Sequence, residues 1–172
     1  MSGIIVVYHS GTGRTKKLAE AIAKSANAEL MDVNEPDWDK LDAAAAIIIG
    51  APTYMGSVSA PMKAFMDATG GRWVSQKWKN KIAGGFTNAS YSSGDKLNAL
   101  IQIAIFAMQH SMIWVGSDTM PEGDLNRMGS FFGVMSQSLQ KTSAEDAMNK
   151  GDLQTAKLYG KRVAEMVSRF AD

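Results

Sequence analysis

An apolar run, Ile4 to Tyr8, leads directly into His9, Ser10, Gly11, Thr12, Gly13, Arg14 and Thr15, and then into a helical pattern. Three hydroxyls and two glycines within six residues are more than a helix cap needs. Glycines let the backbone curl so that its N–H groups converge, the hydroxyls add donors, and a helix N-terminus adds partial positive charge. Together they suit a phosphate, with Arg14 as a nearby cation. The Gly-x-x-x-x-Gly-Lys-Ser/Thr spacing of a nucleotide P-loop is missing. The dinucleotide fingerprint is missing too, because its third glycine would fall at Lys16. His9 reads as a half-buried turn residue.

Two further loops carry polar or flat groups. One follows the apolar run Ala45 to Ile49 and Gly50, and contains Pro52, Thr53, Tyr54, Met55 and Gly56. The other is the small, polar stretch Thr87, Asn88, Ala89, Ser90, Tyr91, Ser92, Ser93 and Gly94, which alone would pass for an ordinary surface loop.

The elements that must position these loops follow from periodicity. Ile4 to Tyr8 and Ala45 to Ile49 are apolar on consecutive residues, and each ends at a serine-glycine or glycine turn, the second at Gly50, as in strands buried on both faces. Weaker strands are expected at Glu29 to Val33, Ile82 to Thr87, Met112 to Val115 and Val134 to Ser136. Helical spacing appears at Leu18 to Ala26, Met62 to Thr69, Leu97 to Met108 and Leu153 to Val167, with Ser59 and Pro61 marking a helix start. Alternating strand and helix imply right-handed βαβ units on a parallel sheet with helices on both faces. In such sheets ligands sit beyond the carboxyl ends of the strands. All three loops fall at such ends.

Composition narrows the chemistry. The 172 residues suit one domain, 1–172. Eighteen Lys and Arg against 17 Asp and Glu give a formal charge of +1, which argues against a nucleic-acid partner. There is no cysteine, so disulfides, thiolate metal sites, iron–sulfur clusters and cysteine nucleophiles are excluded. Redox chemistry would need a bound cofactor. No signal-peptide core or transmembrane span is visible, and a cytoplasmic protein without a membrane partner is expected. No metal-ligand pattern stands out. The 12 methionines fall mostly at core spacing, and Trp38, Trp78 and Trp114 read as packing groups.

The pattern Ser10-x-Thr12-Gly13-x-Thr15 resembles the phosphate loop of the flavodoxins. Gly50-x-Pro52-Thr53-x-x-Gly56, then Met62-x-x-Phe65-x-Asp67, then Thr69-Gly70-Gly71-x-Trp73, resembles the tryptophan-repressor-binding-protein (WrbA) family of flavodoxin-like NAD(P)H:quinone reductases. Ala107 to Met112, Met128 to Gly133 and the last helix continue the likeness. The resemblance implies a flavodoxin-like, doubly wound α/β fold with a five-stranded parallel sheet in the order 2-1-3-4-5. It implies FMN as cofactor, NADH or NADPH as electron donor and a quinone or similar small acceptor. A homodimer or homotetramer is expected.

Residue roles follow from the same likeness. Ser10, Gly11, Thr12, Gly13, Arg14 and Thr15 would hold the FMN phosphate. Pro52, Thr53, Tyr54, Met55 and Gly56 would meet the ring, a rigid Pro-Thr turn offering amides to its edge while Tyr54 and Met55 cover a face. Thr87, Asn88, Ala89, Ser90, Tyr91 and Gly94 would close over its other side. Tyr54 and Trp73 would bound the substrate pocket. Gln109 stands where the family's first histidine lies beside the flavin, and would donate a hydrogen bond without titrating. His110 would cap its helix as a cation. Thr12 replaces a tyrosine that in the quinone reductases also meets the nicotinamide nucleotide, and the segment 34–41 is shorter than in that family. No protein acid or base is required.

The alternative is a flavodoxin-type carrier that passes single electrons between proteins. Such carriers are typically strongly acidic, which steers basic partners. A chain at +1 lacks that field.

Overall fold

The structure is a computed structural model and describes residues 3–139, 143 and 147–170. In chain order its elements are β1 (Ile4–Tyr8), α1 (Arg14–Ala26), β2 (Glu29–Asp32), α2 (Trp38–Ala43), β3 (Ala46–Tyr54), β4 (Ser57–Val58) and α3 (Ala60–Ala68). They continue with α4 (Gly70–Val74), β5 (Ile82–Ala89), α5 (Lys96–Gln109), β6 (Ile113–Trp114), β7 (Val134–Gln137) and α6 (Lys150–Phe170). The sheet runs β2-β1-β3-β5-β6, with β7 also on β5 and β4 hairpinned onto β3. All pairs except β3–β4 are parallel. This is a flavodoxin-like fold.

The expected order 2-1-3-4-5 is present, with the fifth position divided between two short strands. β6 pairs with the start of β5 at Ile82 and Ala83, and β7 with its end from Phe86 to Ala89. The two short apolar runs at 112–115 and 134–136 therefore occupy one lane of the sheet. The helices α2 and α4 are too short to show a period; α2 is instead set by Asp37, whose carboxylate accepts the Lys40 N–H at 3.1 Å.

Alternation along the strands divides the core in two. Val6, Ala46, Ile48, Ile82 and Phe86 pack against Leu18 and Ile22 of α1 and Tyr159 and Val163 of α6. Val7, Ile47, Ile49 and Ala83 pack on the opposite face against Leu41, Met62, Phe65 and Ile103. Tyr159 is fully buried and ties the layers together: its hydroxyl donates to Val115 O at 2.6 Å and accepts Gly85 N–H at 3.0 Å.

Two expectations change. Gly50 does not end its strand; β3 continues to Tyr54. The glycine is there because the buried Phe86 ring of β5 lies where its Cβ would be. Second, α5 is apolar on nearly every side, so its period does not define one core face. Leu100, Ile103, Ala104 and Ala107 are buried, whereas Leu97, Ile101, Ile105 and Met108 form an exposed stripe. Among the methionines, Met31, Met62, Met66, Met112 and Met148 are core, and Met55, Met108 and Met120 are exposed. Among the described residues no helix is long and apolar enough to cross a membrane.

Candidate flavin site

The register aligns the three loops. Tyr8 at the end of β1 pairs with Gly50, Gly50 with Phe86, and Pro52 with Asn88. The loops after β1, β3 and β5 therefore emerge side by side at the carboxyl edge of adjacent parallel strands, where ligands bind in open α/β sheets.

In the first loop, Gly13 takes a left-handed φ of 81° and turns the chain into α1. Gly13, the N-cap residue, has no side chain with which to cap α1. The Ser10 hydroxyl accepts the Lys16 N–H at 3.2 Å, which fixes its place above the first turn. Gly11 and Thr12 are exposed, whereas Thr15 is buried. His9 precedes them with a buried Nδ1 that has no hydrogen-bond partner, and burial lowers its pKa.

The second loop is a hairpin. Thr53 pairs with Val58 and Tyr54 with Ser57, leaving Met55 (φ 49°) and Gly56 (φ 75°) as the two turn residues. Positive φ at both positions is the type I′ arrangement that matches strand twist. Met55 is fully exposed at its tip. Tyr54 leans back over the first loop; a Cβ on Gly11 would lie 2.5 Å from its hydroxyl. The turn is held from α5: Asn98 donates to Gly56 O at 2.6 Å, and the Ser57 hydroxyl donates to Gln102 Oε1 at 2.9 Å.

The hydroxyls of Thr53 and Thr87 meet at 2.7 Å, and Thr87 donates to Ala51 O at 2.8 Å. Thr87 has one proton, so Thr53 donates to Thr87 and offers only lone pairs outward.

In the third loop Thr87 and Asn88 are buried. The Asn88 amide donates to Ser138 Oγ at 3.0 Å and its Oδ1 accepts from Ser136 at 2.9 Å. These two side chains therefore shape the loop from beneath, and Gln137 adds a bond to Ser90 O at 3.1 Å. Ala89 and Ser90 are half-buried, and Tyr91 is exposed. Gly94 and Asp95 are both left-handed and turn the chain into α5, where Lys96 donates to Tyr91 O and Ser92 O at 2.7 Å each. Lys96, Asn98 and Gln102 were missed as supports. Their signal was polarity in the first half of a helix that is otherwise apolar.

Trp73 and Gln109 are not brought to these loops within one copy of the chain. α5 runs antiparallel to the strands and is about 20 Å long at 1.5 Å per residue, so Gln109 lies at the opposite edge of the sheet. α3 likewise carries the chain away before Trp73, which is half-exposed in α4. The link there is direct: Thr69, at the end of α3, meets His110, just after α5, at 2.8 Å. A cavity of about 580 Å³ also opens at this far edge, between Ile4, Asn27, Ile82 and Val167, remote from the three loops.

His110 sits at the end of its helix as expected, but it is not a cationic cap. It is buried against the Trp78 and Phe106 rings. Thr69 donates its hydroxyl proton to Met66 O at 2.7 Å and so accepts from His110 Nε2, while Nδ1 is buried without a partner. Burial lowers the His110 pKa below 6.5. The neutral ring's contribution to stability is therefore complete above the unfolded-state value and lost as pH falls through the folded-state value. His9 shifts the same way. The urea midpoint should fall between about pH 7 and about pH 5, with part of that fall missing in H110Q; an unchanged pH dependence would contradict the neutral, buried assignment.

The fold and these loops make this edge a candidate flavin site, and comparison with known proteins shows the family. The NADPH-dependent FMN reductase family model matches residues 38–123. The flavodoxin FldP of Pseudomonas aeruginosa is 42% identical, covering 96% of this chain and 97% of its own. An NAD(P)H dehydrogenase (quinone) of Archaeoglobus fulgidus is 33% identical, covering 99% and 100%. A solved flavodoxin, WrbA-like protein from Agrobacterium tumefaciens superposes with a TM-score of 0.82 at 42% identity, covering 98% of this chain and 99% of its own. The chain belongs to this flavodoxin-like, WrbA-type family of FMN-dependent NAD(P)H oxidoreductases. Its residues fit that cofactor: a helix start flanked by the Ser10, Thr12 and Thr15 hydroxyls suits the phosphate, and the Tyr54 hairpin beside it suits the ring.

Proposed function

We propose that the chain is an enzyme that uses FMN to carry electrons from NAD(P)H to a quinone or similar small acceptor. The observation that carries this reading is the convergence of the three loops on one sheet edge. Bound FMN would supply the electron chemistry, taking a hydride from the nicotinamide and handing its electrons to the acceptor. The chain's own residues bind and orient. Ser10, Thr12, Thr15 and the first amides of α1 hold the phosphate, with Arg14 adding charge. The Pro52–Gly56 hairpin presents amides to the ring edge, and Tyr54 and Met55 cover a face. The Ala89–Gly94 backbone, shaped from below by Thr87 and Asn88, meets the remaining edge.

Trp73 and Gln109 can serve this site only from a second copy. The exposed stripe Leu97, Ile101, Ile105 and Met108 supports self-association, since contiguous apolar surface of this kind marks interaction sites. On this reading the enzyme is a homodimer or homotetramer.

A flavodoxin-type carrier is the second reading, favoured by the name of the Pseudomonas relative. The near-zero net charge favours the enzyme. With FMN bound, NADH or NADPH should be consumed on adding benzoquinone, with no partner protein present. Reduction of benzoquinone that requires an added reductase would overturn the enzyme reading in favour of the carrier.

A further inference from the structure

The third loop rests on a charge that the roles above leave unused. Lys96 is 1% exposed, and its ammonium donates to two successive carbonyls, Tyr91 O and Ser92 O, at 2.7 Å. The nearby carboxylate, Asp152, attracts it only at a distance and is committed elsewhere. Asp152 is itself buried and pairs bidentately with Arg127 at 2.8 Å through both oxygens, while also accepting Gln137 N–H at 2.9 Å. Lys96, Arg127 and Asp152 together leave one net positive charge beneath the loop. Consistent with this, burial lowers the Lys96 pKa to about 8. A buried cation facing only carbonyls is costly, and a neutral side chain would avoid that cost.

What the arrangement provides is orientation. The described peptide bonds are all trans, and a trans peptide points its N–H opposite to its C=O. With the Tyr91 and Ser92 carbonyls turned inward to Lys96, the N–H groups of Ser92 and Ser93 must point outward from the exposed loop. Two successive donors, each on a peptide polarised by the same buried cation, suit an oxygen or nitrogen that carries negative charge.

We propose that Lys96 is a positioning residue of the flavin site: it aims the Ser92 and Ser93 amides at the ring edge and favours reduced, negatively charged flavin over the oxidised form. This rests on the FMN assignment above. Its effect on the reaction is to make the bound cofactor easier to reduce.

The test is the two-electron midpoint potential of bound FMN in the wild-type protein, K96M and K96R. K96M should lose at least tenfold more affinity for reduced than for oxidised FMN, a shift of about 30 mV to more negative potential. K96R, which keeps the charge, should recover most of it. A wild-type potential in K96M overturns the proposal, because a merely structural lysine would alter melting without altering potential. Should K96M not fold, K96Q, which keeps a donor but no charge, must show the same shift. If the wild-type chain binds no FMN, the functional reading fails first, and the clamp is judged on the cofactor-free protein. Chymotrypsin should then cut after Tyr91 several-fold faster in the neutral variant than in wild type, and equal rates overturn the clamp.

Discussion

Replacing Thr12 and Thr15 together with valine should weaken FMN binding by about a hundredfold or more, while leaving riboflavin binding unchanged. Each hydrogen bond to a charged group is worth roughly 1.5–3 kcal/mol, and each 1.4 kcal/mol is about tenfold in affinity. Valine keeps the shape of threonine and removes only the hydroxyl, so the loss should be confined to the phosphate. The location supports this: both residues flank Gly13, whose left-handed turn leads the chain into α1. Titration of the cofactor-free protein with each flavin measures the effect. Equal losses for FMN and riboflavin would show that the substitutions disturb the loop as a whole, and unchanged FMN affinity would remove the phosphate assignment.

Gly50→Ala should destabilise the protein by about 3 kcal/mol, at the upper end of what overpacking usually costs. For a chain of this size that is roughly 6–12 °C in Tm. The added methyl would land inside the space of the Phe86 ring, which is fully buried at the centre of the sheet. Neither partner can yield easily, since Gly50 is hydrogen-bonded between β1 and β5. Shrinking the ring should relieve the clash, so G50A/F86L should be less destabilised than the sum of its single changes. Additive losses in urea denaturation would contradict direct contact. Because β3 carries the Tyr54 hairpin, G50A that does fold should also bind FMN more weakly.

The parts of the site legible in sequence were the local ones. The candidate phosphate loop is read from neighbouring residues alone, Ser10 to Thr15, and the alternation of apolar runs was enough to place it at a strand end. Gly50 shows the limit of local reading. A glycine after an apolar run looks like a stop, and only the Phe86 ring across the sheet explains why the strand passes through it.

Trp73 and Gln109 lie far from the three loops within one copy for a different reason. Each follows a helix, and in a parallel α/β fold the helix returns the chain to the opposite edge, so membership in a motif does not mean proximity within one copy. Lys96, Asn98 and Gln102 were overlooked because their role depends on which loops α5 passes beneath, which periodicity does not report. The apolar stripe Leu97, Ile101, Ile105 and Met108 carried the same ambiguity, since spacing alone does not separate a core face from a surface that meets a partner.

The central claim is that this chain, with FMN in the three-loop site, accepts electrons directly from a nicotinamide nucleotide. Anaerobic mixing of the FMN-loaded protein with NADH or NADPH tests it, read by the loss of the flavin's visible absorbance. At least one of the two nucleotides should bleach the flavin completely without any added protein. FMN that is tightly bound but stays oxidised in excess of both nucleotides would contradict it.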